Sequence, residues 1–157
     1  MGLEIERKFL VRDISVLAAV PGVAFRQGYL STEPDRSVRV RRAGELAFVT
    51  IKGISGPSGA SRAEFEYPIP AEDADTMLDE LALRPLIEKT RYRVEDGGRI
   101  WEIDVFAGAN EGLVVAEVEL PSEDASVVVP AWAGAEVTGE PRYYNANLVA
   151  HPYRDWA

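Results

Sequence analysis

Eight short segments of the chain alternate their side chains with a period of two, and in seven of them one face is almost purely charged. "LEIERKFLV" (3–11) sets Glu4, Glu6 and Lys8 against Ile5, Arg7 and Phe9. "SVRVRRAG" sets Arg39 and Arg41 against Val38 and Val40, and "FVTIKG" sets Lys52 against Val49 and Ile51. "SRAEFEYP" sets Arg62, Glu64 and Glu66 against Ala63, Phe65 and Tyr67, while "EKTRYRV" contributes Lys89, Arg91 and Arg93. "IWEIDVF" sets Glu102 and Asp104 against Trp101, Ile103 and Val105, and "VVAEVEL" sets Glu117 and Glu119 against Val118 and Leu120. A two-residue period is the signature of a strand, whose successive side chains point to opposite faces. Strands are therefore predicted at 3–11, 24–31, 36–43, 46–53, 61–69, 87–95, 99–107 and 113–120.

The remaining segments read differently. "RAGEL" (42–46) and "EDGGRI" (95–100) predict tight hairpin turns. "GISGPSGAS" (53–61) predicts a mobile loop, with a lid as its functional alternative. A helix is predicted over 71–83, with acids early, an apolar stripe at Met77, Leu78 and Leu81, and Pro85 as its stop. A shorter helix is predicted near 13–19. The segment 122–157 loses the alternation and reads as a tail of short helices packed on the main body, so 1–157 is expected to form one domain.

Eight evenly spaced strands suit a sandwich or a barrel. A sandwich with wet charged faces accounts for any one strand. A solvated face, however, has no reason to exclude Ser, Thr and Gln so consistently. The charged face holds eight acids and eight bases, so the whole net charge of −9 resides elsewhere. Such balance is what an enclosed face requires, because buried charge is costly unless paired or metal-bound. Charge is also sorted by strand. Arg39, Arg41, Lys52, Lys89 and Arg91 form a basic set suited to several phosphate groups. Glu4, Glu6, Asp104, Glu117 and Glu119 form an acidic set suited to divalent cations. A small polyanion with its metal needs both sets together.

Composition narrows the chemistry. The chain has no cysteine, which excludes disulfides and thiolate-bound zinc and suits the cytoplasm. Its single histidine, His151, is expected at the surface or packed in the tail, leaving carboxylates to hold any metal, with Mg²⁺ or Mn²⁺ as the ions they favour. The net charge of −9 argues against nucleic acid as a partner. No apolar run reaches membrane-spanning length, and the charged first residues argue against export.

Glu4, Glu6 and Lys8 form the ExExK motif, followed in order by "QGYL" (27–30), the Arg39/Arg41 pair, "TIKG" (50–53) and "AEFEYPI" (63–69). The strand of Lys89, Arg91 and Arg93, the Glu102/Asp104 pair, "EVEL" (117–120) and "EVTGEPRYYNANL" (136–148) complete the series. In these ordered motifs nearly the whole chain resembles the CYTH domain, or triphosphate tunnel metalloenzyme, family, in its short bacterial form. The resemblance implies an α+β, mainly β fold: an eight-stranded antiparallel closed tunnel, or barrel, with a polar charged lumen and a few peripheral helices. It implies metal-dependent hydrolysis of a small triphosphate, most simply inorganic tripolyphosphate to pyrophosphate and phosphate. Glu4, Glu6 and Glu119 are then the expected metal ligands, with Asp104 and Glu117 supporting a second ion. Lys8 is expected to position the attacking water, with Glu4 or Glu6 taking its proton. Lys8, Arg39, Arg41, Lys52, Lys89 and Arg91 are expected to hold phosphates. Arg62, Glu64, Glu66, Arg93 and Glu102 are expected to support them.

Tyr29 and the Tyr143/Tyr144 pair are expected to pack rather than touch substrate. Three alternatives remain at this stage. One is a class IV-type adenylate cyclase, with a ribose hydroxyl in place of water. Another is a thiamine or nucleoside triphosphatase, and the last is a non-catalytic polyphosphate-binding module.

Overall fold

A computed structural model describes residues 2–156. Eight antiparallel strands form a closed ring: β1 (Leu3–Val11), β2 (Gly22–Ser31), β3 (Ser37–Ala43), β4 (Leu46–Lys52), β5 (Ser61–Pro68), β6 (Ile87–Asp96), β7 (Arg99–Phe106) and β8 (Val114–Glu119). Around the ring the order is β5-β4-β3-β2-β6-β7-β8-β1, and β1 closes back onto β5. The strands match the predicted segments to within two residues at either end.

The closing seam is short: Leu3, Glu4 and Ile5 of β1 face Ala63, Arg62 and Ser61 of β5. Beyond Ile5 that edge of β1 is taken by a ninth strand, β9 (Ala133–Glu136), which pairs Glu136 with Phe9 and Ala133 with Val11. The sequence reading assigned only helices to this tail. "AGAE" is too short and its residues too small for alternation to register, and the edge vacated by β5 recruits it.

The wall has two faces of opposite character. Outward-facing Phe9, Trp101, Ile103, Ala116 and Val118 form a core with Trp132 and Ala133, covered by Val16, Leu17 and Val20. The covering segment Ile14–Ala19 is a 3₁₀ turn rather than a regular helix, capped by the Asp13 carboxylate on the Ser15 amide. A second outer core joins Val40 and Ala47 of the wall to Ala74 and Leu78 of α1 (Ala71–Glu80). This helix ends three residues before the predicted limit. The amides of Leu81 and Ala82 both return to the Met77 carbonyl, and the Leu83 amide binds the Tyr29 carbonyl, turning the chain back to the wall. Leu81, predicted on the buried stripe, is exposed in consequence, and Ala74 replaces it.

The lumen is charged only over part of its length. Towards one end the inward positions become Leu10, Tyr29, Ile87, Phe106 and Val115, which pack against Val137, Tyr143, Leu148 and Val149. The C-terminal segment, including α2 (Asn145–Ala150), thereby plugs that end of the barrel. Six residues back along β2 from Tyr29, about 20 Å away, Val23 lies with Ala43, Leu46 and Phe48 at the opposite, open mouth. Among the described residues no helix is long and apolar enough to cross a membrane.

Candidate active site

The inward face encloses a cavity of about 660 Å³, within the range of small-molecule sites. Of the sixteen charged side chains predicted to meet on one face, fifteen line it, and Asp104 lies just behind them. They come together because each strand offers alternate residues to the same side and closure turns that side inward.

One part of the wall is cationic. Arg39 donates to Thr50 Oγ1 at 3.2 Å and lies 3.6 Å from Glu66, yet its buried Nε has no partner. Arg41 gives its Nε–H to Gln27 Oε1 at 2.9 Å. Burial first, then Arg39 and Arg91, pull its guanidinium down to about 9. Arg41 and Arg91 lie 4.7 and 4.8 Å from the ring centroid of Phe25, which spaces two like charges while offering each a π-face. Lys89 is buried at 2.7 Å from Asp104. Burial, with Arg91 and Arg41 alongside, still pulls its ammonium below the usual lysine range. An anion entering here would relieve that crowding.

Asp104 holds this set together. Its Oδ1 accepts from Arg91 Nε at 2.7 Å and its Oδ2 from Arg91 Nη2 at 2.9 Å, with Lys89 on Oδ2 as well. Burial opposes its charge, but Lys89 and Arg91 outweigh it and hold the carboxyl at about 2. Both oxygens are thus committed to cations.

The other part of the wall is acidic. Glu6 of β1 stands directly opposite Glu119 of β8, and Glu102 of β7 opposite Glu117. Like charges in such cross-strand pairs repel. The structure offsets only some of this. Glu4 is held by Lys52 at 3.0 Å and Glu117 by Lys8 at 3.6 Å, so both carboxyls titrate below the ordinary range despite burial. Burial together with the neighbouring Glu117 and Glu4 pushes Glu6 well above that range. Burial and Glu4 raise Glu64 to about 7, and burial, Glu4 and Glu102 raise Glu119.

Among the described residues no three of these carboxylates already converge on one point. Lys52 draws Glu4 aside and Lys8 draws Glu117. Glu6 and Glu119 face each other with raised affinity for protons, which is the condition a divalent cation relieves by displacing the proton. An all-oxygen donor set of this kind fits a hard ion.

The supporting residues follow the same division. Glu66 accepts from Thr50 at 2.7 Å, Glu64 lies 3.4 Å from Lys52, and Arg62 lies 3.7 Å from Glu4. Arg93 pairs with Glu102 at 3.5 Å near the mouth, where its side chain is largely exposed.

Several uncharged residues without a predicted role belong to the site: Phe25, Thr50 and Asn145 line the cavity, and buried Gln27 stands behind Arg41 and Asn145. The strand of Phe25 and Gln27 is the one segment of eight without a charged face, so its inward side gave no signal. The tyrosine pair divides. Tyr143 packs in the plug as expected, while Tyr144 lines the tunnel with Lys8 at 5.4 Å and Arg62 at 5.7 Å from its ring. Tyr29 both packs in the plug and reaches the cavity. His151 lies outside the tunnel, beside Trp156.

The 53–61 loop lies over the acidic side. Ser58 and Ser61 hydrogen-bond Glu123, Ala60 accepts from the Glu6 amide, and Gly59 meets Gly139 with no room for a side chain. Beneath it a second cavity of about 20 Å³ touches Glu4, Glu6 and Lys8, large enough for one water.

Related proteins share this chain's length and fold. The family described as CYTH domain matches residues 2–153. The chain is 48% identical over 156 residues to a protein of Acetivibrio thermocellus named inorganic triphosphatase, covering 99% of each. It is 41% identical over 152 residues to a protein of Nitrosomonas europaea with the same name, covering 92% of this chain and 95% of that one. A crystal structure described as an inorganic triphosphatase superposes with a TM-score of 0.63 at 36% identity, covering 92% of this chain and 96% of the other. A match over nearly the full length, two relatives above 40% identity and a closed charged tunnel lead to one conclusion: the chain belongs to the CYTH domain family.

Proposed function

We propose that the chain is a metal-dependent triphosphatase that hydrolyses inorganic tripolyphosphate to pyrophosphate and phosphate. The observation that carries this reading is the juxtaposition, in one enclosed tunnel, of crowded cations with a spare buried donor at Arg39 and mutually repelling carboxylates at Glu6 and Glu119. A phosphate chain answers the first set and a divalent cation the second. Full-length identity to two proteins named inorganic triphosphatase supports the same substrate.

Glu4, Glu6, Glu117 and Glu119 are the residues that hold the metal, with Mg²⁺ or Mn²⁺ matching their oxygen donors. When bound, such an ion neutralises phosphate charge and lowers the pKa of a water. Arg39, Arg41, Lys52, Lys89 and Arg91 grip the phosphate oxygens and offset the charge that builds on the leaving group. Asp104 keeps Lys89 and Arg91 in place instead of ligating an ion. Lys8, beside the water-sized cavity, orients the nucleophile. The water oxygen bonds to the terminal phosphorus as the bond from that phosphorus to its bridging oxygen breaks. A carboxylate of Glu4 or Glu6 takes the proton, and orthophosphate and pyrophosphate depart. The cysteine-free composition favours a reducing cytoplasm as the setting, and the net charge of −9 disfavours nucleic acid as a partner.

Phosphate release measured with Mg²⁺ and with Mn²⁺ across tripolyphosphate, thiamine triphosphate, ATP and GTP tests this. Tripolyphosphate should be the preferred substrate, and Glu6→Gln should cut kcat by about 100-fold or more. Preferred turnover of an organic triphosphate, cyclic AMP formed from ATP, or tight binding without turnover would each replace the reading.

A further inference from the structure

Asn145 is absent from the charged sets that define the tunnel, yet a chain of hydrogen bonds fixes which way its amide points. Arg41 can only donate, so its Nε–H at 2.9 Å requires the oxygen of the Gln27 amide. Gln27 must then present its NH₂ on the other side, where Nε2 meets Asn145 Oδ1 at 3.1 Å. Lys89, also a pure donor, reaches the same Oδ1 at 3.0 Å. Two independent donors thus demand the oxygen of Asn145 at this point, so the orientation follows from chemistry and not from the choice of which atom to call nitrogen. Gln27 and Lys89 are both buried, and a flipped Asn145 amide would set its NH₂ against the donors of both.

The NH₂ of Asn145 is left over. It makes no hydrogen bond among the described residues, its nitrogen is not sealed from solvent, and the residue lines the tunnel. From this geometry we infer that the Asn145 side-chain amide is a substrate-binding group, donating through Nδ2 to an oxygen of the phosphate chain held by Arg41 and Lys89. The inference rests on the tripolyphosphate reading above and adds a neutral donor to its cationic grip. A neutral donor has a use here. Arg41, Lys89 and Arg91 already crowd one another, and a further cation would add to that repulsion, whereas an amide recognises oxygen without adding charge. Because the donor sits on the C-terminal segment, the plug also becomes part of the substrate site.

Asn145→Asp separates the two ends of the amide. The aspartate keeps an acceptor for Lys89 and Gln27, but it replaces the lumen-facing donor with an oxygen. The expected result is a KM for tripolyphosphate raised about 10- to 100-fold, with kcat changed less than about threefold and the melting temperature kept within about 2 °C. In parallel, the ¹⁵N-labelled parent chain, assigned through its backbone, should show the Asn145 side-chain NH₂ resonances moving when tripolyphosphate is added with metal withheld. This second arm stands even if the variant folds poorly. A KM within threefold of the parent overturns the inference. So does a raised KM with the parent's amide resonances unmoved, since the added charge beside Lys89 then accounts for the effect. A parent chain that neither binds nor turns over tripolyphosphate removes the underlying reading and this inference together, whereas an active parent with an unaffected Asn145 removes this inference alone.

Discussion

Glu64 links the acidic wall to the pH dependence of the folded chain. Burial and the neighbouring Glu4 raise its carboxyl to about 7, against 4.5 for the ordinary group. Between those values the folded chain holds a proton that the unfolded chain has released. Stability from this group is therefore fully present below about 4.5 and declines as pH rises towards 7. Glu6, also raised, acts in the same direction. Asp104 has the opposite sign: its carboxyl, held at about 2, stabilises above its ordinary range and loses that contribution as pH falls towards 2. Melts recorded in chelator from pH 5 to pH 6, below the range where the lowered Lys89 ammonium, at about 7, acts with the opposite sign, should accordingly fall with pH, and Glu64→Gln should flatten the fall. A melting temperature that climbs over that interval, or a slope unaltered in Glu64→Gln, would contradict the assignment.

At the scale of elements, the plug is where packing and substrate binding meet. Leu148 of α2 is fully buried among Ile87, Phe106 and Val115, while Tyr144 and Asn145 at the start of the same segment line the tunnel. Truncating Leu148 removes buried contacts that the surrounding barrel strands cannot readily collapse to replace. Leu148→Ala should cost about 2–4 kcal/mol in urea unfolding and should also raise the KM for tripolyphosphate, although Leu148 touches no substrate group. A loss below about 1 kcal/mol with KM unchanged would mean that the plug is an appendage. Beside Tyr144 the tunnel depends on a different fit. Gly59 and Gly139 both take positive φ, 77° and 76°, and their backbones meet so closely that a side chain on Gly59 would overlap Gly139. That contact seats the 53–61 loop over Glu4, Glu6 and Lys8.

Across the whole molecule, enclosure is what turns balanced charge into a binding site. With Arg41 pulled down to about 9 and Arg39 Nε unpartnered, the ligand-free barrel stores cationic repulsion that a polyanion relieves. Tripolyphosphate without metal, at about one hundred times its Kd, should stabilise the fold by about 2.7 kcal/mol. For a chain of this size that corresponds to a rise of about 5–10 °C in Tm. Sulfate, which cannot span the cationic set, should give much less. An unmoved Tm at saturating tripolyphosphate would indicate a wall whose charges already satisfy one another.

The alternation of Glu4, Glu6 and Lys8, and its recurrence through Glu117 and Glu119, determined the strands and the charged face from sequence alone, because a two-residue period is a local property of the backbone. The equal numbers of acids and bases likewise announced enclosure, since a wet face has no need of balance. Only the tertiary structure decided how the ring closes, through three residue pairs between β1 and β5, and that β9 fills the edge left beyond them. It also decided that Asp104 serves Lys89 and Arg91, and that Phe25, Gln27 and Asn145 stand among the charges. These outcomes depend on partners more than a dozen residues away in the chain. No local pattern encodes a distant partner, so neutral residues acquire a role only when the fold brings the charges to them.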